Sequence, residues 1–255
     1  MTDLNRLQLP GMSTWILIGA TFLLAGVVKG VIGMGLPTVA MGVLAVVLPP
    51  AEAAALLVIP SLVTNVWQLL AGPSFGALAR RLWPMMAGVF AGTIAGTGVL
   101  AGDNAGLAGI ALGVILAIYA VVGLAGLRIS KPGRREIWLG PVIGATTGVV
   151  TGATGMFTIP AVPYLQAIGL ERDDLIQALG LSFTASTIAL AIGLWRVGAW
   201  HMGSVWGSLL ALIPALIGMQ AGTMLRQRIA AATFRRVFFV GLLLLGIYLV
   251  VERLA

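Results

Sequence analysis

A lysine buried among apolar residues, with no carboxylate to pair with, is a fixed positive charge that a bound anion can neutralise. This chain has one such residue, Lys29, in the run Val27-Val28-Lys29-Gly30-Val31-Ile32-Gly33-Met34-Gly35-Leu36-Pro37. A charge in hydrocarbon costs roughly 3 kcal/mol even on insertion scales, so something must compensate it. Asp3, Glu52, Asp103, Glu136, Glu171, Asp173, Asp174 and Glu252 all fall at the ends of apolar segments, in loops or at a terminus. The partner is then a bound anion or backbone carbonyls, unless the side chain snorkels to water or only seals a helix break. Gly30, Gly33, Gly35 and Pro37 provide that break, because glycine admits unusual dihedrals and proline removes a donor.

A near copy stands in the second half, Val149-Val150-Thr151-Gly152-Ala153-Thr154-Gly155-Met156-Phe157-Thr158-Ile159-Pro160. From Gly26 to Met34 and from Gly148 to Met156, six of nine positions are identical. Paired interruptions in two halves are the sequence pointer to a transporter binding site. Half-helices starting near Leu36 and Thr158 would turn unpaired N–H groups and a positive dipole end toward the breaks, a setting that suits oxyanions. Gly152 and Gly155 shape the second break. Thr151, Thr154 and Thr158 offer it hydroxyls, although a threonine in a membrane helix more often bonds its own i−4 carbonyl. A second polar set follows each break: Ser61, Thr64, Asn65 and Gln68 share one helix face, and Gln177, Ser182, Thr184 and Ser186 form its counterpart. With a one-residue gap, Ser61 matches Ser182 and Asn65 matches Ser186. Lining a substrate path and holding helices together are both open to these residues.

Other chemistry is excluded or weak. No cysteine is present, so disulfides, thiolate metal sites and cysteine nucleophiles are excluded, and the single His201 makes no imidazole cluster. Gly30-x-x-Gly33-x-Gly35 lacks the preceding strand of a nucleotide loop. A hydrolase would need a nucleophile with its base, and only Lys29 with Ser61 or Ser182 could supply one. No cofactor is expected.

The elements that must position these residues are membrane helices. The chain has 255 residues, of which 59% are hydrophobic and 9% charged, whereas soluble domains average roughly 25% charged. The net charge of +7 therefore marks loops facing the cytoplasm rather than a nucleic-acid partner. The first apolar run has no A-x-A-like cleavage site and is expected to be a retained helix. Ten apolar segments are expected, at 13–34, 36–49, 51–71, 82–101, 105–127, 137–154, 156–169, 172–195, 203–223 and 236–252. The second and seventh are too short for a hydrocarbon core of about 30 Å, so each forms a tilted or re-entrant hairpin with the helix before it. This divides the chain into a first repeat over 1–127, a basic loop over 128–136 and a second repeat over 137–255.

If each hairpin returns the chain to its starting side, the halves are inverted. Arg80, Arg81, Arg128, Lys131, Arg134, Arg135, Arg172, Arg226, Arg228, Arg235 and Arg236 then lie inside, and Arg6, Arg196 and Arg253 outside. That 11 to 3 division is better than the 9 to 5 of parallel halves, so inverted halves with both termini outside are expected. Trp15, Trp67, Trp83, Trp138, Trp195 and Trp206 fall near segment ends, where such rings prefer the headgroup layer. Gly88, Gly92 and Gly96, and Gly140, Gly144, Gly148 and Gly152, recur every four residues, a ladder that lets helices approach closely.

Over nearly its whole length the chain resembles the TauE/SafE family of sulfite exporters and sulfonate permeases. The resemblance rests on the two related halves, the glycine-rich turns and Leu36-Pro37. The first-half motif Val28-Lys29-Gly30-Val31-Ile32-Gly33-Met34-Gly35 is the closer, the second being looser, with Phe157 in place of Gly35. It implies an inner-membrane, multi-pass transporter of small anions such as sulfite, sulfonates or sulfoacetate, imported or exported. Expected site residues are Lys29, Gly30, Gly33, Gly35, Asn65, Gln68, Thr151, Gly152, Thr154, Gly155, Ser182 and Ser186. A carboxylate or other organic anion is the alternative substrate. Coupling to a proton carried by Lys29, to sodium held by freed carbonyls, or to neither is open.

Overall fold

The protein is described by a computed structural model that covers residues 11–102, 105–126 and 130–254. Arg6 and Arg128, both counted in the topology, lie outside the described residues, as do Asp3 and Asp103. Among the described residues there are ten α-helices and no strand: α1 Met12–Ile32, α2 Leu36–Leu44, α3 Pro50–Leu70, α4 Phe75–Ala101, α5 Ala105–Ala125, α6 Glu136–Thr154, α7 Ala161–Ala167, α8 Arg172–Arg196, α9 Met202–Leu225 and α10 Ala231–Leu254. Eight are long and apolar enough to cross a membrane, and α2 and α7 are the two that are not.

Helix boundaries depart from the apolar segments where hydropathy and backbone chemistry diverge. Helix α4 begins at Phe75 rather than at 82, because Arg80 and Arg81 end the apolar run without ending the hydrogen bonding. Helix α2 stops at Leu44 and gives way to a turn before Pro49-Pro50. Helix α7 starts at Ala161, not near Thr158, and Pro160 sits outside the helix as its cap.

Two seams hold the bundle together. Helices α1 and α9 run side by side in the same direction, with Gly26 against Ala215 and Met219, and Gly30 against Met219 and Gly222. Helices α4 and α6 do the same, with Gly88 against Pro141 and Ala145, Gly92 against Ala145 and Val149, and Gly96 against Val149 and Ala153. A Cβ at any of Gly26, Gly30, Gly92, Gly148, Gly152, Gly218 or Gly222 would overlap the facing backbone. The expected ladder is therefore one face of a backbone-to-backbone contact, made in lipid by packing rather than by the hydrophobic effect. In both seams the first helix of one half packs on the fourth helix of the other.

Corresponding helices meet in the opposite sense. Helices α3 and α8 cross antiparallel, with Gly180 against the backbone of Gln68 and Leu69 while Asn65 reaches Thr187. Helices α5 and α10 are also antiparallel, as Gly109 faces Arg253, Gly113 faces Gly246 and Leu249, and Gly123 faces Phe239.

Pro60 lies inside α3 and cannot donate to the carbonyl of Leu56, four residues earlier. The buried hydroxyl of Ser208 on α9 donates to that oxygen instead, at 2.7 Å. At the arginine-rich end, Arg81 of α4 grips Glu136 of α6 through two bonds, at 2.6 and 2.8 Å. Trp67, Trp83, Trp138, Trp195 and Trp206 are all exposed, as rings meeting the headgroup layer should be.

Candidate substrate site at the helix breaks

Both interruptions are built by left-handed glycines. Helix α1 ends on Gly33 at φ 82°, and Gly35 at φ 104° starts α2, so the chain reverses over three residues. Gly155 at φ 71° ends α6 in the same way. In all three cases the Cβ of another residue would be strained.

Lys29 is 4% exposed, inside α1 one turn before its end. Gly30 clamps that turn onto α9, which fixes the rotation of α1 and turns Lys29 toward α3. Its ammonium donates to the side-chain oxygen of Asn65. Asn65 is fully buried and uses its own amide N–H on Thr187 of α8, at 3.4 Å. The partner expected for Lys29 was an anion or a freed carbonyl. The observed one is a neutral amide, so the charge itself stays unneutralised.

The same helices, the second break and α2 carry buried hydroxyls without partners among the described residues. Among the described residues the oxygens of Ser61, Ser182, Ser186 and Thr158 have no hydrogen bond, nor does that of Thr38 in α2. Ser61 is one turn from Asn65 on α3, Ser186 adjoins Thr187 on α8, and Ser182 is one turn before Ser186. Orphaned buried groups of this kind call for an explanation, and an unfilled ligand position is one. The pairing a serine–lysine hydrolase needs is not formed, since Lys29 bonds Asn65 and both Ser61 and Ser182 are unpartnered.

Other expected site residues have local occupations. Thr151 donates to Thr147 at 2.8 Å, and Thr154 to Val150 at 2.6 Å while accepting from the Met156 N–H. Gly152 and Gly30, equivalent by the repeat, are both packed in the glycine seams. Gln68 donates across to the Ile176 carbonyl at 2.9 Å, and Gln177 returns the link by donating to Leu69 and Gly72, each at 2.7 Å. These two glutamines tie α3 to α8. Thr184 bonds its own helix at Gly180. His201 is exposed in a connecting loop, and Arg196 is exposed beyond the opposite end from the arginine cluster. Sequence reasoning missed Ser208, for which the signal was Pro60 in mid-segment. It also missed the Gly218 and Gly222 pair, although its spacing of four was visible.

A cavity of about 1110 Å³ opens at the arginine-rich end. It reaches inward to Gly33 and Met34 at the α1–α2 turn, where the Tyr119 hydroxyl of α5 meets the Met34 sulfur at 3.5 Å. Lys29 does not line it, being one turn deeper.

A bundle of apolar helices with paired breaks and a buried cation at one of them defines a membrane transport protein. The sequence matches the family described as Sulfite exporter TauE/SafE over residues 18–249, and the chain belongs to that family. Comparison with curated proteins and with solved structures found no match.

Proposed function

We propose that the chain is a secondary transporter that carries a small anion, a sulfur oxyanion or sulfonate first among them, through the inner membrane by alternating access. The observation that carries this reading is the buried Lys29 ammonium with only a neutral amide as partner, with three buried serine hydroxyls on α3 and α8 that bond nothing among the described residues. A bound oxyanion would supply the missing charge and accept from those hydroxyls at once. The family supports sulfur chemistry for the cargo.

The halves 1–127 and 137–255 are inverted in this reading, joined by the cytoplasmic loop 128–136. Antiparallel crossings of α3 with α8 and of α5 with α10 favour it, since parallel halves would set corresponding helices in the same direction. The arginine-rich end is then cytoplasmic. The substrate is bound between α1, α3 and α8, with Lys29 as its charge, Ser61, Ser182 and Ser186 as donors, and Asn65 holding the ammonium when the site is empty.

The test is binding to purified protein. Sulfite, sulfoacetate, taurine and small carboxylates are titrated by calorimetry against the wild type and Lys29→Met. Saturable binding of at least one sulfur anion, lost in Lys29→Met, is expected. Binding of carboxylates alone would reassign the cargo, and unaltered binding in a folded Lys29→Met protein would remove the site from Lys29.

A further inference from the structure

The cavity at the arginine-rich end carries a charge pattern that helix packing does not require. Arg172 at the start of α8, Arg226 just past the end of α9, and Arg235 and Arg236 near the start of α10 all line it. Among the described residues no aspartate or glutamate does; Asp173 and Asp174 follow Arg172 in sequence but are not part of the wall. Among the described residues the only ion pair is that of Arg81 with Glu136, so none of the four is held in an ion pair. A positive-inside signal needs arginines in loops, but it does not need four of them from three elements around one concavity. Walls of low dielectric concentrate the field of such a group and raise the local anion concentration by 10-fold or more.

We infer that this cavity is an anion-collecting chamber, a second anion site distinct from Lys29, which takes up small soluble oxyanions and delivers them to the Gly33–Met34 turn. The inference rests on the reading that the cargo is an anion. A divalent anion gains most from the chamber, because its attraction to the four guanidinium groups is twice that of a monovalent one. Arginine suits the task, since its planar fork matches the oxygens of a sulfur or phosphorus oxyanion. The end of α1 at Val31 and Ile32 and the Gly33–Met34 turn line the chamber, and Lys29 lies one turn deeper, so an anion held there has still to pass the helix break.

The chain has no native cysteine, which allows a direct measurement of the field. A cysteine is placed in the wall as Val122→Cys or Gln166→Cys, with Met202→Cys as a control remote from the cavity. Purified protein in neutral detergent is treated with a sulfonate-bearing and an ammonium-bearing thiol reagent of equal size. At about 20 mM salt the anionic to cationic rate ratio in the wall is expected to exceed the control by about 10-fold or more, and to fall as salt approaches about 500 mM. Arg235→Gln with Arg236→Gln should remove a large part of that excess. Adding Arg172→Gln and Arg226→Gln should bring it to the control value. Millimolar sulfate should slow the anionic reagent. A wall ratio equal to the control, or one unmoved by the arginine substitutions, overturns the inference. Protection by phosphatidylglycerol but not by sulfate also overturns it, as a lipid headgroup would then be the occupant. Sulfite flux into proteoliposomes is a separate readout. Its absence with the charge ratio intact would count against the transport reading while supporting the chamber.

Discussion

The Lys29 ammonium on α1 donates to the amide oxygen of Asn65 on α3, and both side chains are buried. An amide satisfies one ammonium hydrogen but contributes no opposing charge. In the proposed reading the pair is the resting arrangement of a cation whose counter-ion is the transported anion.

This relationship orders three variants by stability. Asn65→Leu takes away the ammonium's one acceptor and should be the least stable, by roughly 1.5–3 kcal/mol, the scale of a hydrogen bond to a charged group. Lys29→Met leaves only a neutral acceptor unpaired, a loss of about 1–3 kcal/mol offset by the ammonium's own desolvation. The double variant removes both polar groups and should equal or exceed the wild type. Thermal unfolding in detergent reads the order, and sulfite should raise the midpoint of Asn65→Leu more than that of the wild type. An Asn65→Leu protein as stable as the parent would mean that the two side chains do not depend on each other.

The unpartnered serines separate function from folding. Ser61→Ala, Ser182→Ala and Ser186→Ala each delete a buried hydroxyl that bonds nothing among the described residues. Stability should hold or rise by about 1 kcal/mol, while the KM for the transported anion should rise several-fold. Loss of stability without a change in KM would make them interhelical contacts instead.

Ser208 makes the opposite forecast. Its hydroxyl serves the Leu56 carbonyl that Pro60 leaves without a donor. Ser208→Ala should cost about 1–3 kcal/mol and leave the KM alone. Adding Pro60→Ala restores the helical donor to Leu56 and should recover part of the loss, since the Ile59 N–H also loses the Ser208 oxygen it donates to at 3.0 Å. Failure of that rescue would show that the serine stabilises α9 for another reason.

Topology is open to impermeant labelling in intact cells. Arg134→Cys and Gln227→Cys lie toward the arginine-rich end and should be shielded. His201→Cys lies at the opposite end and should react. Reaction at 134 and protection at 201 would turn the protein over in the membrane and put the chamber on the outer face.

Much of this fold was legible in the sequence because hydrocarbon is a strict solvent. It requires long apolar helices, and it makes Lys29, Gly33, Gly35 and Gly155 conspicuous. Helix starts were less legible, since Arg80 and Arg81 lower hydropathy without disturbing the α4 backbone. The roles of small and polar residues were the least legible. Gly30 and Lys29 are neighbours, yet one is pressed into a seam and the other faces α3, a difference set by the rotation of α1 that α9 imposes. Thr151, Ser182 and Ser186 look alike in sequence. Only the i−4 carbonyl, taken by the first and refused by the other two, separates them.

The parallel seams bear on how the chain is made. Helix α1 is synthesised with its Gly26 and Gly30 face open to lipid, and its mate α9 is completed only at Leu225. Helix α4 is luckier, since α6 follows soon after. For most of translation the first helix thus sits in the bilayer unmatched, and its lysine is without the α3 amide until that helix follows. A nascent chain interrupted before α9 carries a complete first half whose opening helix lacks the mate for its Gly26 and Gly30 face, which would make such fragments targets for membrane quality control.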